Sequence, residues 1–197
     1  MSDRNNQRHH RSCTPSAGRR WSVWWSENKQ VHLFVAKFVA TVAVFHVLTL
    51  LSVYEWLLPS YLHAVATVAR FLSHCFGESG EVVGATLRSP AYAVTVSPAC
   101  SAVELAGFIV AAVVAFPSRI SAKISGALLG VLLVALLNII RVTSLFLVGL
   151  HAPGAFDLVH EDLWAVLFIL IATLFVGMWV AHVHRQANRA AAIETHA

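Results

Sequence analysis

One apolar stretch constrains the fold of this chain more than any other feature of its sequence. It runs from Ile124 to Leu150 with a single charged side chain, that of Arg141. A run of this length and polarity can cross the hydrocarbon core of a bilayer as a helix. The whole chain agrees, because 57% of its 197 residues are hydrophobic and 12% are charged, whereas soluble domains have roughly 25% charged residues. We therefore expect an integral membrane protein.

Three other segments have the character of membrane helices, which predicts an all-α polytopic membrane protein with about four transmembrane helices. These further spans cover about residues 34–58, 101–116 and 163–183. Pro59 is expected to end the first span and Pro117 the second, because proline interrupts a helix.

The chain between the first two of these spans is more polar. Residues 60–76 follow a helical pattern interrupted by polar side chains, which predicts an amphipathic helix on the outer surface or tucked into the bundle. The runs 82–87 and 91–96 are rich in strand-forming residues and flank the turn sequence Arg88-Ser89-Pro90. They predict a short β-hairpin outside the membrane, which leads the chain to Cys100.

Positive charge is concentrated at both ends of the chain and in the loop 117–123. Such segments are expected to be cytoplasmic, because cytoplasmic loops carry an excess of Lys and Arg. The predicted organisation is a cytoplasmic basic tail (1–30), a domain embedded in the cytoplasmic (inner) membrane (31–184) and a cytoplasmic tail (185–197). These orientation signals account for the net charge of +4. We expect no nucleic acid partner, because zinc-finger spacing and a basic helix with interleaved aromatics are both missing.

This orientation brings three reactive groups to the outer, periplasmic leaflet. Cys100 and His160 reach the outer membrane–water boundary, and Arg141 lies in the outward half of its helix. Acidic side chains also fall on this side, namely Glu55, Glu78, Glu81, Glu104, Asp157, Glu161 and Asp162.

Cys100 lies just ahead of a predicted helix start. Ser101 and Glu104 have the spacing of a capping box, which predicts Ser101 as the N-cap. Backbone N–H groups and the positive end of the helix dipole would then favour the thiolate, which is the nucleophilic form of cysteine. A disulfide with Cys75, on the same side, is conceivable, but we expect Cys100 to be free and reactive.

Arg141 is unfavourable for membrane insertion, because it lies within an apolar helix. A guanidinium in an apolar helix costs at least ~2.5–3.5 kcal/mol on insertion scales, so it should face a partner or a wet cavity. One interpretation is a structural ion pair with Glu104 or Glu161. The other is stabilisation of an oxyanion or thiolate, because arginine stays charged and offers several fixed donors. Asn138, one turn earlier on the same face, would support it.

His160 precedes the last span and is the candidate general base and acid that Cys–His catalysis needs. A helix cap at the membrane interface is the alternative interpretation of this residue. His151 is a second candidate for the base.

Together these residues resemble the exosortase/archaeosortase family. The motifs that carry the resemblance read Ala99-Cys100-Ser101-Ala102, Asn138-Ile139-Ile140-Arg141-Val142 and His160-Glu161-Asp162-Leu163-Trp164. In that family the residue after Cys-Ser and the fourth residue after the histidine are often glycine, where this chain has Ala102 and Trp164. The short chain resembles a compact single-domain subtype such as exosortase H.

The resemblance implies a cysteine protease or transpeptidase that sorts secreted proteins. Its substrates would carry a C-terminal signal made of a short motif, a transmembrane helix and a basic tail, as in PEP-CTERM-like signals. The enzyme would cleave near the motif and transfer the new carboxyl end to a lipid or other membrane acceptor. Cys100 would form a thioester, Arg141 would stabilise negative charge and His160 would carry the proton. These roles also follow from the residue chemistry, although the substrate does not.

Two other classes of function stay open at this point. A haem-binding electron-transfer subunit would use paired histidines at matched depth, and the candidates are His46, His63, His74, His151, His160 and His182. A non-catalytic membrane assembly protein would explain the apolar bundle but not the costly Arg141. No cluster in the sequence has metal-ligand spacing, so we expect no metal and no cofactor.

Overall fold

The computed structural model describes residues 28–194 of the chain. The α-helices of this part are α1 (Lys29–Thr49), α2 (Ser52–Cys75), α3 (Val103–Ala115), α4 (Ile120–His151) and α5 (Trp164–Glu194). A small antiparallel sheet between α2 and α3 consists of β1 (Glu81–Val83), β2 (Thr86–Arg88) and β3 (Ala93–Thr95). Short 3₁₀ turns cover Pro98–Cys100 and Pro153–Ala155, and a π-helical segment, Leu158–Leu163, leads into α5.

The prediction of an all-α polytopic membrane protein is confirmed. Among the described residues, three helical segments are long and apolar enough to cross a bilayer, namely Lys29–Thr49, Ile120–His151 and Leu158–Ala190. The shorter helix α3 is also apolar. Many large apolar side chains on these helices are exposed, such as Leu128 and Ile169. An apolar surface of this extent is expected where a protein faces lipid.

The predicted end of the first span is wrong. Helix α1 ends at Thr49, and α2 starts two residues later and continues through Pro59. The break comes at Leu51, whose backbone is extended (φ −81°, ψ 144°). A proline inside a helix leaves the carbonyl four residues earlier without its partner. Here that residue is Glu55, and both it and Pro59 are exposed, so α2 does not have to bury the unpaired group.

Helix α2 covers the segment 60–76 and is tucked against the bundle by one face. That face buries Leu62, Val65, Ala66 and Ala69. Its partners are Phe146 of α4 and the inward residues of the sheet. The apolar stripe therefore explains why this polar-looking segment is helical.

The predicted hairpin corresponds to strands β2 and β3, and β1 adds a third strand to the sheet. The run 82–87 does not make a single strand, because Gly84 takes a positive φ of 62° and turns the chain between β1 and β2. Strand β2 then pairs with β3 in the register Thr86↔Thr95 and Arg88↔Ala93. The sequence signal at Ser89-Pro90 located this second turn correctly, and the glycine turn was missed.

Helix α4 is the centre of the bundle, since α2, α3, α5 and β3 all contact it. Two glycines one turn apart allow α3 and α5 to approach α4 closely. A Cβ on Gly126 would overlap the indole of Trp179, with 2.7 Å to Cε2, and one on Gly130 would lie 2.5 Å from Cγ2 of Ile109. Small residues at this spacing let membrane helices pack closely.

We expect Gly126→Ala to lower the thermal midpoint of the detergent-solubilised protein. The indole cannot move freely, because Trp179 Nε1 donates a hydrogen bond to the carbonyl of Ala122 (3.3 Å). Overpacking of this kind typically costs about 1–3 kcal/mol, which exceeds the gain of at most ~1 kcal/mol in helix propensity. Gly177→Ala is the matched control, since its Cβ would have nothing within 4 Å. Equal midpoints for the two variants would contradict the packing argument.

Candidate active site

Cys100 is the last residue of the 3₁₀ turn Pro98–Cys100, and α3 begins at Val103. The predicted capping box is therefore wrong. An N-cap residue usually has extended backbone angles, whereas Ser101 has φ −77° and ψ −16° because the proline-led turn extends through it. The N-cap is Ala102, and Glu104 is the second residue of the helix. The Ser101 hydroxyl instead accepts a hydrogen bond from the Val103 N–H (3.3 Å).

The carbonyl of Ser101 fixes this turn to two helices. It accepts hydrogen bonds from Tyr61 Oη (3.0 Å) on α2 and from Asn138 Nδ2 (3.2 Å) on α4. Both Ser101 and Asn138 are buried. Asn138 was expected to support Arg141, but its amide reaches the backbone beside Cys100. It thus positions the cysteine and not the arginine.

His160 lies on the π-helical segment that leads into α5. Its Nε2 is 3.5 Å from Cys100 Sγ, within hydrogen-bonding distance for sulfur. Phe156, four residues earlier, stacks on the imidazole with ring centroids 5.5 Å apart and an interplanar angle of 27°. The ring is therefore held on one side by an aromatic face while one nitrogen points at the thiol.

Arg141 lies on α4 beside the histidine. Its Nη2 donates to the carbonyl of His160 (3.5 Å), and its Cζ lies 5.6 Å from the centroid of the Phe168 ring. Its Nε is buried without a hydrogen-bond partner. Within the described residues, no carboxylate lies within 4.0 Å of the guanidinium, so the ion pair with Glu104 or Glu161 is not formed.

The three side chains line one cavity of about 250 Å³. Strand β3 and its flanking residues form one wall, and apolar side chains of Val142, Leu145 and Phe156 form another. A thiol, an imidazole and a guanidinium around a single small cavity can supply a nucleophile, a proton carrier and a stabiliser of negative charge.

A comparison with protein-family models identifies the family of the chain. The model for the transmembrane exosortase family (Exosortase_EpsH) matches residues 23–189. The chain belongs to this family. No curated protein and no solved structure matched the chain.

Ala102 now explains one departure from the family's usual motif. It lies in the left-handed region with φ 55° and ψ 11°. Alanine is less stable than glycine in this conformation by roughly 1–2 kcal/mol, and glycine reaches it freely. The glycine that often follows Cys-Ser in the exosortase family would therefore suit the backbone at this position, which this chain adopts with alanine.

Trp164 accounts for the second departure. Its indole is buried and its Nε1 donates to Ser144 Oγ (3.0 Å), which in turn donates to the carbonyl of Arg141 (2.8 Å). Trp164 also packs on Phe168, whose ring lies under the guanidinium. The ring contacts of Phe156 with His160 and of Trp164 with Phe168 were not predicted. Their signal was spacing, because the two residues of each pair lie four positions apart on a helical segment.

The other histidines and the second cysteine lie elsewhere. His151 pairs with Glu78 (3.0 Å), so it does not serve Cys100, and His63 Nδ1 lies 2.6 Å from the carbonyl of Gly84. Cys75 is exposed and, like Cys100, free, so the conceivable disulfide between them is not formed. In the described part of the chain, His160 is the histidine that faces the thiol.

Proposed function

We propose that this protein is a membrane cysteine transpeptidase that cleaves the C-terminal sorting signal of exported proteins. One observation carries the proposal, namely that Cys100 Sγ and His160 Nε2 are 3.5 Å apart in a cavity that Arg141 also lines. Membership of the exosortase family supports protein sorting in a membrane. The signal would consist of a short motif, a transmembrane helix and a basic tail.

Cleavage would proceed through a thioester. The thiol proton of Cys100 passes to His160 Nε2, and the sulfur attacks the carbonyl carbon of the scissile peptide bond. Arg141 stabilises the negative charge that develops on the carbonyl oxygen. Its present bond to the His160 carbonyl is long, at 3.5 Å, so little is lost when the guanidinium turns to the oxyanion. His160 then protonates the leaving amine, the C–N bond breaks, and the acyl group remains on Cys100.

An acceptor nucleophile would complete the reaction. It attacks the thioester carbonyl, gives its proton to His160 and takes the acyl group, which frees Cys100. The acceptor is a membrane lipid or another membrane-bound nucleophile. The apolar wall of the cavity supports an approach from the bilayer, because Val142, Leu145 and Phe156 carry no competing polar group.

The proposed location is the inner membrane, with the cavity on the periplasmic face. Arg119, just before α4, and Lys123, in its first turn, lie at the opposite end of α4 from the His151–Glu78 pair. Cationic loops favour the cytoplasm. The basic tails, 1–30 and 185–197, would flank the membrane domain on the same side, and residues 1–27 and 195–197 lie outside the described part.

Reporter fusions test this topology. A reporter after Glu78 should be active only outside the cytoplasm, and one after Lys123 only inside it, because the two sites lie at opposite ends of α4. The two fusion sites control for each other. A reporter that is active only in the cytoplasm should be inactive after Glu78, and one that is active only outside it should be inactive after Lys123. The reverse pattern would refute both the topology and the periplasmic cavity.

Cys100→Ala should abolish processing of a reporter substrate while the protein remains in the membrane. The reporter is an exported protein fused to a motif–helix–basic tail segment encoded beside the gene for this protein. Loss of the nucleophile removes the thioester route altogether. Cys75→Ala is the control and should process normally, since Cys75 is exposed and lies outside the cavity. Processing by Cys100→Ala, or an absence of processing by the wild type, would favour a non-catalytic assembly role.

A further inference from the structure

We propose that the free edge of β3 binds the sorting motif of the substrate as an added β-strand and leads the scissile bond to Cys100. The inference rests on the proposed function and specifies how the substrate is held. The observation behind it is a row of unpaired main-chain hydrogen-bonding groups along one wall of the cavity.

The pairing of β2 with β3 determines which main-chain groups are free. The Val96 N–H donates to the carbonyl of Ala85 (2.9 Å), and the Ser89 N–H donates to the carbonyl of Tyr92 (2.8 Å). In an antiparallel pair, hydrogen-bonded positions alternate with positions whose N–H and C=O point away from the partner. In this register Ala93 and Thr95 are the positions that point away.

The outward groups of Ala93 and Thr95 form an unpaired edge. The strand order is β1-β2-β3, so β3 has a neighbour on one side only. Within the described residues, no main-chain hydrogen bond is made at this edge. An open strand edge pairs readily with another extended chain, and recognition of peptides by strand addition uses this property.

The same edge borders the cavity of Cys100. Six consecutive residues, 92–97, line it. Successive side chains of a strand point to opposite faces, so a cavity touched by every residue lies beside the strand and not on one face. Val94 and Val96 pack into the core below, whereas Ala93 and Thr95 are exposed.

The strand is also rigidly connected to the nucleophile. Val96 is 2% exposed and fixes the end of the strand in the core. The Ser97 carbonyl then accepts a hydrogen bond from the Cys100 N–H (2.9 Å). A peptide paired with Ala93 and Thr95 would therefore reach the thiol in a fixed register.

The expected occupant is an extended peptide whose main chain is recognised more than its side chains. The exposed side chains of the edge are small, those of Ala93 and Thr95, and offer little selectivity. Selectivity would come from the opposite wall, where Val142, Leu145 and Phe156 would bind an apolar side chain of the substrate. A strand places one such side chain every second residue toward that wall.

The first test removes single edge amides. Ala93→Pro and Thr95→Pro each delete one outward N–H while leaving the main-chain bonds to β2 intact, and proline is tolerated at a strand edge. Thr95→Pro also removes the hydrogen bond between Oγ1 of Thr95 and Oγ1 of Thr86 (2.9 Å), so Ala93→Pro is the cleaner of the two variants. Each should lower kcat/KM for the reporter substrate about threefold to tenfold, as expected for one main-chain hydrogen bond. Alkylation of Cys100 by iodoacetamide should be unchanged, because it needs no bound substrate.

Val82→Pro is the matched control. Val82 lies on β1, and its N–H points away from β2 at the opposite edge of the sheet, far from the cavity. It should process the reporter like the wild type. Equal processing by Thr95→Pro, Ala93→Pro and the wild type would overturn the inference while leaving the proposed function in place. An inactive wild type would overturn both.

Cross-linking keeps the inference testable if a proline variant fails to fold. A single cysteine is introduced as Thr95→Cys in a chain that lacks Cys13, Cys75 and Cys100, and single cysteines are moved along the reporter motif. Strand pairing predicts disulfides at every second motif position. Val83→Cys, exposed on β1, should give none. Cross-links without this alternation, or equal cross-linking from Val83→Cys, would overturn strand addition.

Discussion

Arg141→Lys should reach the membrane at a near-normal level and leave the reporter substrate largely uncleaved. Lysine keeps the positive charge but loses the planar, multi-donor head of arginine. Removal of one fixed donor to an oxyanion typically lowers the rate by ~10²–10³. Lysine would also lose the flat contact with Phe168, over which the guanidinium lies. The measurement is the ratio of precursor to processed reporter, with membrane abundance determined in parallel.

A control and two contrary outcomes make this prediction specific. Arg185→Lys, at an exposed site on α5, should process normally. Full processing by Arg141→Lys would refute its assignment to the reaction. Loss of the Arg141→Lys protein from the membrane would indicate that the residue is needed for folding.

His160→Gln should lower processing by about 10²–10⁴, the usual contribution of a positioned general acid or base. Glutamine approximates the reach and polarity of histidine but cannot exchange a proton near neutral pH. The variant should accumulate normally, because the structural contact of this position with Arg141 uses the backbone carbonyl and not the side chain.

His151→Gln is the matched control for the histidine. That side chain pairs with Glu78 outside the cavity, so the variant should retain processing. The opposite ranking of the two variants would transfer the proton-carrying role to His151. If both variants reduced processing only slightly and to the same extent, neither histidine would act as the general base for Cys100.

The membrane architecture, and the candidate residues that the structure brings to one cavity, could be predicted from sequence because each left a strong local signal. The apolar run around Arg141 is long enough to exclude a soluble fold. The cost of burying a guanidinium makes that residue conspicuous. Charge asymmetry then placed Cys100 and His160 at one depth, where the structure has them 3.5 Å apart.

The features that were missed depend on the surroundings of each residue, which the pattern used to predict it does not include. Pro59 was expected to end a helix, but α2 continues through it. The carbonyl of Glu55 that loses its hydrogen bond belongs to an exposed turn, so it is not buried without a partner. Ser101 had the spacing of an N-cap, yet the proline-led turn before it sets its backbone angles. Asn138 was assigned to its neighbour on α4, whereas its partner is a carbonyl 37 residues away in sequence. Local patterns cannot reveal such partners.

The shortness of α3 has a consequence for where the reaction takes place. The helix has 13 residues and at about 1.5 Å per residue is about 20 Å long, against about 30 Å for the hydrocarbon core. Its C-terminal end is tied to the first turn of α4, since Lys123 Nζ donates to the carbonyl of Val114 (2.6 Å).

With the topology proposed above, this hydrophobic mismatch would place the outer end of α3, and Cys100 with it, about 10 Å below the usual level of the outer headgroups unless the bilayer thins around it. In a bilayer that thins around α3, the thiol of the proposed enzyme would lie at the depth where the membrane helix of a substrate ends. A motif directly beside such a helix then needs no long linker to reach the nucleophile.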